Sequence, residues 1–327
     1  VPEGHSVHRI ARQFALHFVG RRVQASSPQG RFADGAARID GRTMLAARAV
    51  GKQMFLEFEG DRFLRVHLGM YGAWDFAGDI TADASTGLSA GASTGSDGRT
   101  ERLGTVVGEH EDSLSSMGAP RRTRLRMAEQ EALGAPIEEF PPPPIGAVRV
   151  RLLTEVSVAD LRGPTACEVI DPPQVEAVLA KLGPDPLVDD PVAGERRFVQ
   201  TVRAKPTPVA LLLMDQSVVS GIGNVFRAEL LFRNRIEPHT PGRALTEEQA
   251  VALWRDWTHL LRVAVEHGQM LTMDGLDDEA LRRALTSQPD RHWVYKRTGL
   301  PCRICGTEIV MEEIGGRKLY WCPKDQA

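Results

Sequence analysis

Nowhere do about 18 apolar residues run uninterrupted, which excludes an ordinary membrane-spanning helix. The first twenty residues carry His5, His8, Arg9 and Arg12 where a secretory leader needs an unbroken apolar stretch, so a cytoplasmic protein is expected. Cysteine is scarce. There are four, too few and too unevenly placed for a disulfide scaffold, because Cys167 stands alone while Cys302, Cys305 and Cys322 cluster near the C-terminus. Excess positive charge is also lacking: 40 Lys+Arg against 43 Asp+Glu leaves a formal net charge of −3, which counts against a nucleic-acid binder when read globally.

What is present is unevenly distributed. Residues 1–76 carry a balance of +4, residues 77–147 one of −5 and residues 291–327 one of +3, so the two ends suit phosphates and the middle does not. Residues 78–144 run through Ala-Ser-Thr-Gly repeats, an arginine cluster at Arg121, Arg122, Arg124 and Arg126, and four prolines, Pro141 to Pro144. So little apolar material hardly offsets the entropy of ordering, and most of this stretch is expected to be a disordered insertion. The arginine cluster is read as a solvated charge run before an auxiliary nucleic-acid contact.

Ahead of the insertion, Pro2 opens a segment with Val7, Ile10, Phe14 and Phe18 on one face and Gly20 after it, the pattern of an amphipathic helix with proline at its start. Strand-like runs follow at 48–50, 54–58, 63–67 and 148–153, implying a β-sandwich or barrel behind an N-terminal helix. From Pro173 the pattern turns helical, with runs at 175–182, 209–213, 225–232, 247–267 and 279–285. The expected architecture is α+β and multidomain: a β-sandwich domain over 1–172, a helical domain over 173–288, and a zinc-ribbon-like hairpin over 289–327.

Several residues could carry chemistry. Pro2-Glu3 alone reads as a common helix opening. Val1 fits a GTG start codon translated literally, so the initiator is expected to be a methionine trimmed before Pro2, leaving a free prolyl nitrogen. An α-amino group has a pKa of about 8, so part of it is unprotonated near neutral pH, and Glu3 beside it can serve as acid or base. Ser220-Gly221-Ile222-Gly223-Asn224 is a glycine-permissive turn entering a helix whose N-terminus favours a phosphate, with Asn224 as its natural cap. Cys302, Cys305 and, after 16 intervening residues, Cys322 form three corners of a zinc ribbon. Asp325 stands where a fourth cysteine belongs. Three cysteines with one aspartate, three cysteines with water, and a hairpin without metal all stay open, whereas a redox pair leaves the third cysteine unexplained.

These motifs fall in a recognisable order: Pro2-Glu3-Gly4-His5, Gly51-Lys52, His67-Leu68-Gly69-Met70-Tyr71-Gly72, Asp215-Gln216 with Gly221-Ile222-Gly223-Asn224 and Glu229, then the terminal cysteines. The chain resembles the formamidopyrimidine-DNA glycosylase and endonuclease VIII family over nearly its whole length except the insertion, and the Glu3-Gly4-His5 opening with Tyr71 after Met70 sets it closer to the endonuclease VIII branch. The resemblance implies a helix-two-turns-helix element in the helical domain. It implies Pro2 as nucleophile, Glu3 as acid or base and Lys52 as a phosphate-holding ammonium that assists the chemistry. Asn224 and Arg317 become contacts to the DNA backbone. Met70 and Tyr71 become a wedge filling the gap left by an extruded base, and Glu229 a carboxylate near the catalytic amine. It implies zinc, with Asp325 at the fourth corner, and a monomer acting at the nucleoid on damaged double-stranded, single-stranded or abasic DNA. The expected activity is excision of oxidised bases, pyrimidines preferred, with strand cleavage by β,δ-elimination. A non-catalytic relative that binds damaged DNA is the alternative, since an amide at Pro2 is not nucleophilic if residue 1 is retained. A generic zinc-ribbon module does not account for Pro2, Lys52 and Asn224 together.

Overall fold

The structure is a computed structural model and describes residues 2–80, 112–113, 116–119, 139–287 and 290–327. The chain divides into two compact units, Val1–Leu179 and Ala180–Ala327. Among the described residues no helix is long and apolar enough to cross a membrane.

The first unit opens with α1 (Gly4–His17), whose buried Val7, Ile10, Ala11 and Phe14 recur at the three- and four-residue steps of one helical face. Glu3 is its N-cap, so Pro2 lies ahead of the helix and not in its first turn. Phe14 meets Trp74 edge-on at 4.8 Å between ring centroids and Phe76 at 5.2 Å. After α1 come β1 (Arg22–Ser26), α2 (Ala33–Ile39), β2 (Arg42–Val50), β3 (Gln53–Phe58), β4 (Arg62–His67) and β5 (Ala73–Gly78). Further along are β6 (Asp112–Ser113), β7 (Ser116–Gly118), β8 (Val148–Leu153), β9 (Ser157–Arg162), β10 (Ala166–Ile170) and α3 (Pro172–Leu179).

The strands form one ladder in the order β10-β4-β3-β2-β1-β8-β9-β5-β7-β6. Its bend lies in β1, which pairs with β2 at Arg22 and Val23 and then with β8 from Gln24 to Ser26. Leu56 and Leu64 from one half share a core with Trp74, Leu152 and Leu161 from the other. The expected sandwich is therefore a continuous antiparallel sheet folded over α1 and its own apolar faces.

All six positions of β9 are buried, including Asp160 and Arg162. Asp75 of β5 stands opposite Asp160 on one side and Ser116 of β7 on the other. Like charges opposed across strands repel, and two arginines relieve this. Arg162 pairs with Asp75 and reaches Asp160 at 3.5 Å, while Arg151 grips both oxygens of Asp160 at 2.7 and 2.8 Å. Ser116 Oγ donates to Asp75 Oδ1 at 2.6 Å. The stretch taken as a disordered insertion thus contributes an ordered piece to the sheet, with Met117 and Ala119 only 1% and 2% exposed. The arginine cluster at 121–126 lies outside the described residues.

The second unit contains α4 (Pro191–Arg203), α5 (Val209–Leu212), α6 (Asn224–Arg233), α7 (Glu247–His267) and α8 (Asp278–Thr286), then a hairpin of β11 (Val310–Ile314) and β12 (Arg317–Trp321). Local chemistry sets these limits. Asp190 caps α4 by accepting from Val192 N and Ala193 N ahead of Pro191. α7 starts at a reciprocal Thr246–Gln249 capping box and stops at left-handed Gly268.

Two boundaries differ from expectation. α3 packs through Val175 on Phe55, Phe63 and Ile170 of the sheet, so the division falls after Leu179 and not after residue 172. The ribbon is no separate body, since Ile309, Leu319 and Cys322 belong to the same core as Phe226, Trp257 and Leu261 of the helices.

Replacing Arg162 by Met would leave Asp75 and Asp160 opposed without their shared cation. Breaking a buried pair this way costs about 3–5 kcal/mol, so chemical denaturation should show the first unit strongly destabilised. A loss below about 1 kcal/mol would mean that the ionic row does not hold the sheet edge.

Candidate active site and metal centre

The first unit holds Pro2, Glu3, Lys52, Met70 and Tyr71. Pro2 is buried and Glu3 is 1% exposed. Just past α1, Val19 bridges Met44 near the start of β2, and α1 packs along β2. A 14-residue helix spans about 21 Å and the strand from Met44 to Val50 about 20 Å. The start of α1 and the β2–β3 turn bearing Lys52 therefore fall at the same end of the sheet. His5, buried in the first turn of α1, is pushed down to about 3 by desolvation first and by the Arg9 charge second. At the turn, His67 is also held below its ordinary range, by burial first and then by the Lys52 and Arg65 charges. Both imidazoles are therefore neutral near pH 7, and Lys52 is the cation of the turn.

Between β4 and β5 the chain makes a tight loop. Gly72 N donates to Leu68 O at 2.9 Å, and Thr165 N donates to His67 O at 2.9 Å. Gly69 has φ +65°, and a Cβ there would come 1.8 Å from Thr165 Oγ1, so neither the backbone nor the space admits a side chain. The loop instead presents its two large apolar residues to solvent, Met70 at 49% and Tyr71 at 55% exposure.

In the second unit one amide ties the turn before α6 together. Gln216 Nε2 donates to Met214 O and Ile222 O, and its Oε1 accepts from Gly221 N. The N-cap of α6 is Gly223, so Asn224 is the first helical residue and not the cap expected of it. Its side chain turns to the hairpin: Nδ2 donates to Lys318 O at 2.8 Å and Oδ1 accepts from Arg227 Nη2 at 2.5 Å. Arg227, without exposed surface, also reaches Lys318 O at 3.1 Å. Ile314 and Arg317 close the hairpin across Gly315-Gly316, both with positive φ, as a two-residue turn of matching twist requires. Arg317 is exposed next to the carbonyl that Asn224 holds, so the structure brings these two together.

Glu229 stands apart from any surface. At 0% exposure its Oε1 accepts from Val294 N and Tyr295 N at 2.9 and 2.8 Å. Its Oε2 accepts from Trp293 N at 2.8 Å and from Thr272 Oγ1 at 2.5 Å. A carboxylate saturated in this way touches no nucleic acid; it fastens the segment leading to the ribbon onto α6. The buried His292 beside it is pushed down to about 4, mainly by desolvation.

The ribbon gathers Cys302, Cys305, Cys322 and Asp325, whose donor atoms all lie within 4.8 Å of one another. Tetrahedral zinc sets corner distances of about 3.8 Å between sulfurs and about 3.6 Å between sulfur and oxygen. Cys305 Sγ and Cys322 Sγ are 3.5 Å apart, Cys322 Sγ and Asp325 Oδ2 3.6 Å, and Cys302 Sγ and Asp325 Oδ2 2.9 Å. Ile304 N and Asp325 N point at the sulfurs of Cys302 and Cys322 at 3.4 and 3.5 Å, donors that favour thiolates. Two of these three edges match a zinc tetrahedron, the third is a hydrogen bond shorter than its corner distance, and the donor types are those zinc takes. Cys167, pushed up to about 12 by burial, stays a thiol at neutral pH and is no nucleophile.

Sequence reasoning overlooked Arg227 and Gln326, and quoted His67 only as part of a motif. The spacing of Asn224 and Arg227, one helical turn apart, was a usable signal. Gln326, fully buried, donates to Ile236 O and accepts from Cys322 N, and nothing in a terminal Gln announces that.

Known proteins match this arrangement along the whole chain. The formamidopyrimidine-DNA glycosylase N-terminal domain matches residues 1–115, the formamidopyrimidine-DNA glycosylase H2TH domain residues 182–274, and the zinc finger found in FPG and IleRS residues 299–327. Endonuclease 8 1 of Mycobacterium tuberculosis is 36% identical over 325 residues, covering 99% of this chain and 98% of that protein. The formamidopyrimidine-DNA glycosylase of Thermus thermophilus is 36% identical over 157 residues, 46% of this chain and 55% of that one. Among solved structures, the MutM (FPG) protein from Thermus thermophilus superposes with TM-score 0.62 at 23% identity, covering 99% and 98% of the two chains. The Lactococcus lactis Fpg in complex with an abasic site containing DNA gives 0.64 at 20%, covering 99% of each. At such identities the superpositions show the shared fold.

Replacing Glu229 by Ala strands three backbone amides in the interior, each costing about 1–3 kcal/mol. Hydrogen exchange at Trp293, Val294 and Tyr295 should then accelerate by at least about tenfold. Unchanged protection would show that the carboxylate is not the clasp.

Proposed function

Since this chain belongs to the formamidopyrimidine-DNA glycosylase and endonuclease VIII family, and is therefore a DNA glycosylase and abasic-site lyase of base excision repair, we propose that it excises oxidised bases through Pro2. The full-length identity to an endonuclease 8 carries this reading, and oxidised pyrimidines are the substrates it proposes. With residue 1 removed, the Pro2 nitrogen pair attacks C1′ while the bond from C1′ to the base breaks, and the departing base takes up a proton. The prolyl N–H proton is lost to the departing base, and Glu3 protonates the ring oxygen O4′ as the C1′–O4′ bond breaks. The resulting iminium is cationic, so a C2′ proton leaves readily and the 3′ phosphate departs. Loss of the 5′ phosphate in a second elimination leaves a one-nucleotide gap, and hydrolysis frees the prolyl nitrogen.

Lys52, a point charge on a flexible stem, holds a backbone phosphate beside the lesion. Asn224 and Arg317 hold the strand further along, through phosphate contacts that position without reading sequence. Met70 and Tyr71 enter the stack where the damaged base leaves. Glu229 belongs to the binding unit as its internal clasp. The working partner is damaged duplex or abasic DNA, and the acting species a monomer. Domain limits of 1–179, 180–288 and 289–327 fit these roles, the last two sharing a core. Zinc held by Cys302, Cys305, Cys322 and Asp325 supplies no chemistry to the reaction; bound, it fixes the loops that carry the hairpin.

Borohydride reduction during turnover should freeze the iminium, and mass spectrometry of the digested adduct should place the sugar-derived mass on the peptide beginning at Pro2. An adduct on Lys52, or strand cleavage by protein whose intact mass still includes residue 1, would overturn the nucleophile. For the metal, Co2+ loaded in place of zinc should give a thiolate charge-transfer band that falls by about a third in Cys322→Ala, one of three sulfurs. In Asp325→Ala the band should persist while the ligand-field bands shift. Ligand-field bands unchanged in Asp325→Ala would remove the aspartate from the ligand set.

A further inference from the structure

The loop carrying Met70 and Tyr71 has supports on more than one side, and one comes from a segment that composition alone marks as dispensable. Ala119 N donates to Gly72 O at 2.9 Å, fixing the point where the loop enters β5. The preceding Gly118 pairs with Ala73 at a φ of +124°, and a Cβ on it would lie 2.5 Å from Gly72 O. On the opposite side the turn between β9 and β10 makes an equally close approach: a Cβ on Gly163 would lie 2.6 Å from Tyr71 O. The two exposed apolar side chains thus sit on a backbone gripped from both flanks.

β7 is well anchored for such a task. Met117, 1% exposed, is part of the core, and Ser116 Oγ holds the Asp75 carboxylate that Arg162 also grips. Towards the loop β7 turns the main chain of Gly118 and Ala119. A side chain pushed into stacked bases transmits the push to its own backbone, so a wedge works only if its loop yields less than the stack does.

We propose that residues 116–119 are a splint for the wedge loop, with the Ala119 N–H as its positioning group, so that this segment sets how efficiently a damaged base is extruded. The inference rests on the reading of Met70 and Tyr71 as the wedge. It concerns extrusion alone, because an abasic site has no base to expel.

The test compares single-turnover rates on two duplexes, one bearing an oxidised pyrimidine and one a preformed abasic site, using the full chain. Ala119→Pro removes the N–H, and Ala119→Gly keeps it. A lost hydrogen bond of about 1 kcal/mol corresponds to roughly fivefold, so Ala119→Pro should excise the base roughly fivefold more slowly while cutting the abasic site within about twofold of wild type. Ala119→Gly should match wild type on both. 2-Aminopurine opposite the lesion should brighten less on binding Ala119→Pro, reporting shallower insertion. Should Ala119→Pro fail to fold, replacement of Ala119 by lactic acid, which exchanges the N–H for an ester oxygen without adding a ring, is read on the same two duplexes with the same expectation. Equal rates on the base-bearing duplex, or equal losses on both, would overturn the splint. Loss of selectivity in Met70→Ala/Tyr71→Ala must accompany it; if that double variant excises like wild type, the wedge reading falls and the splint with it. Wild-type protein inert on both duplexes would instead sink the enzymatic reading itself.

Discussion

A carboxylate taken fully out of water survives only if donors replace its hydration shell, and in the second unit that requirement falls on Glu229. Its donors come from Thr272 and from three successive amides at 293–295, so the charge converts a stretch of irregular chain into a rigid brace on α6. The same helix begins with Asn224, and the braced chain runs on to Cys302 and then to Arg317. One buried charge therefore fixes the base of the hairpin while Asn224 and Arg227 fix its tip through Lys318 O. The two groups proposed to hold phosphates are thus tied together through one main-chain oxygen, on which the Asn224 and Arg227 side chains converge.

The first unit meets the same constraint with opposite means. Asp75 and Asp160 are neighbours on adjacent strands, and arginines, not amides, satisfy them. Ion pairs of this sort seldom add net stability over apolar packing, but they are directional. Here the direction is across the strands, binding β8, β9, β5 and β7 into a common register beneath the loop that displays Met70 and Tyr71.

Much of this was legible from residues alone where periodicity was strong. The apolar face of α1, the runs of β3, β4 and β8 and both ends of α7 follow from spacing. What resisted reading was buried polarity. β9 carries Asp160 and Arg162 at positions that alternation assigns to solvent, and only partners on other strands make their burial tolerable. β7 is three residues in a stretch of small polar ones, with Met117 its single apolar signal. Glu229 looks like any helix carboxylate, since the groups that seal it lie 43 to 66 residues further along. Asn224 was placed at the right helix but one position early, because a cap and a first residue differ only in backbone angle.

Pro2 stands one residue ahead of the N-cap of a 14-residue helix. The peptide dipoles of α1 sum to a partial positive charge at that end, which opposes a proton on an amine placed there. On the proposal that Pro2 is the nucleophile, the helix that anchors the fold's core also turns its positive end towards the reacting nitrogen.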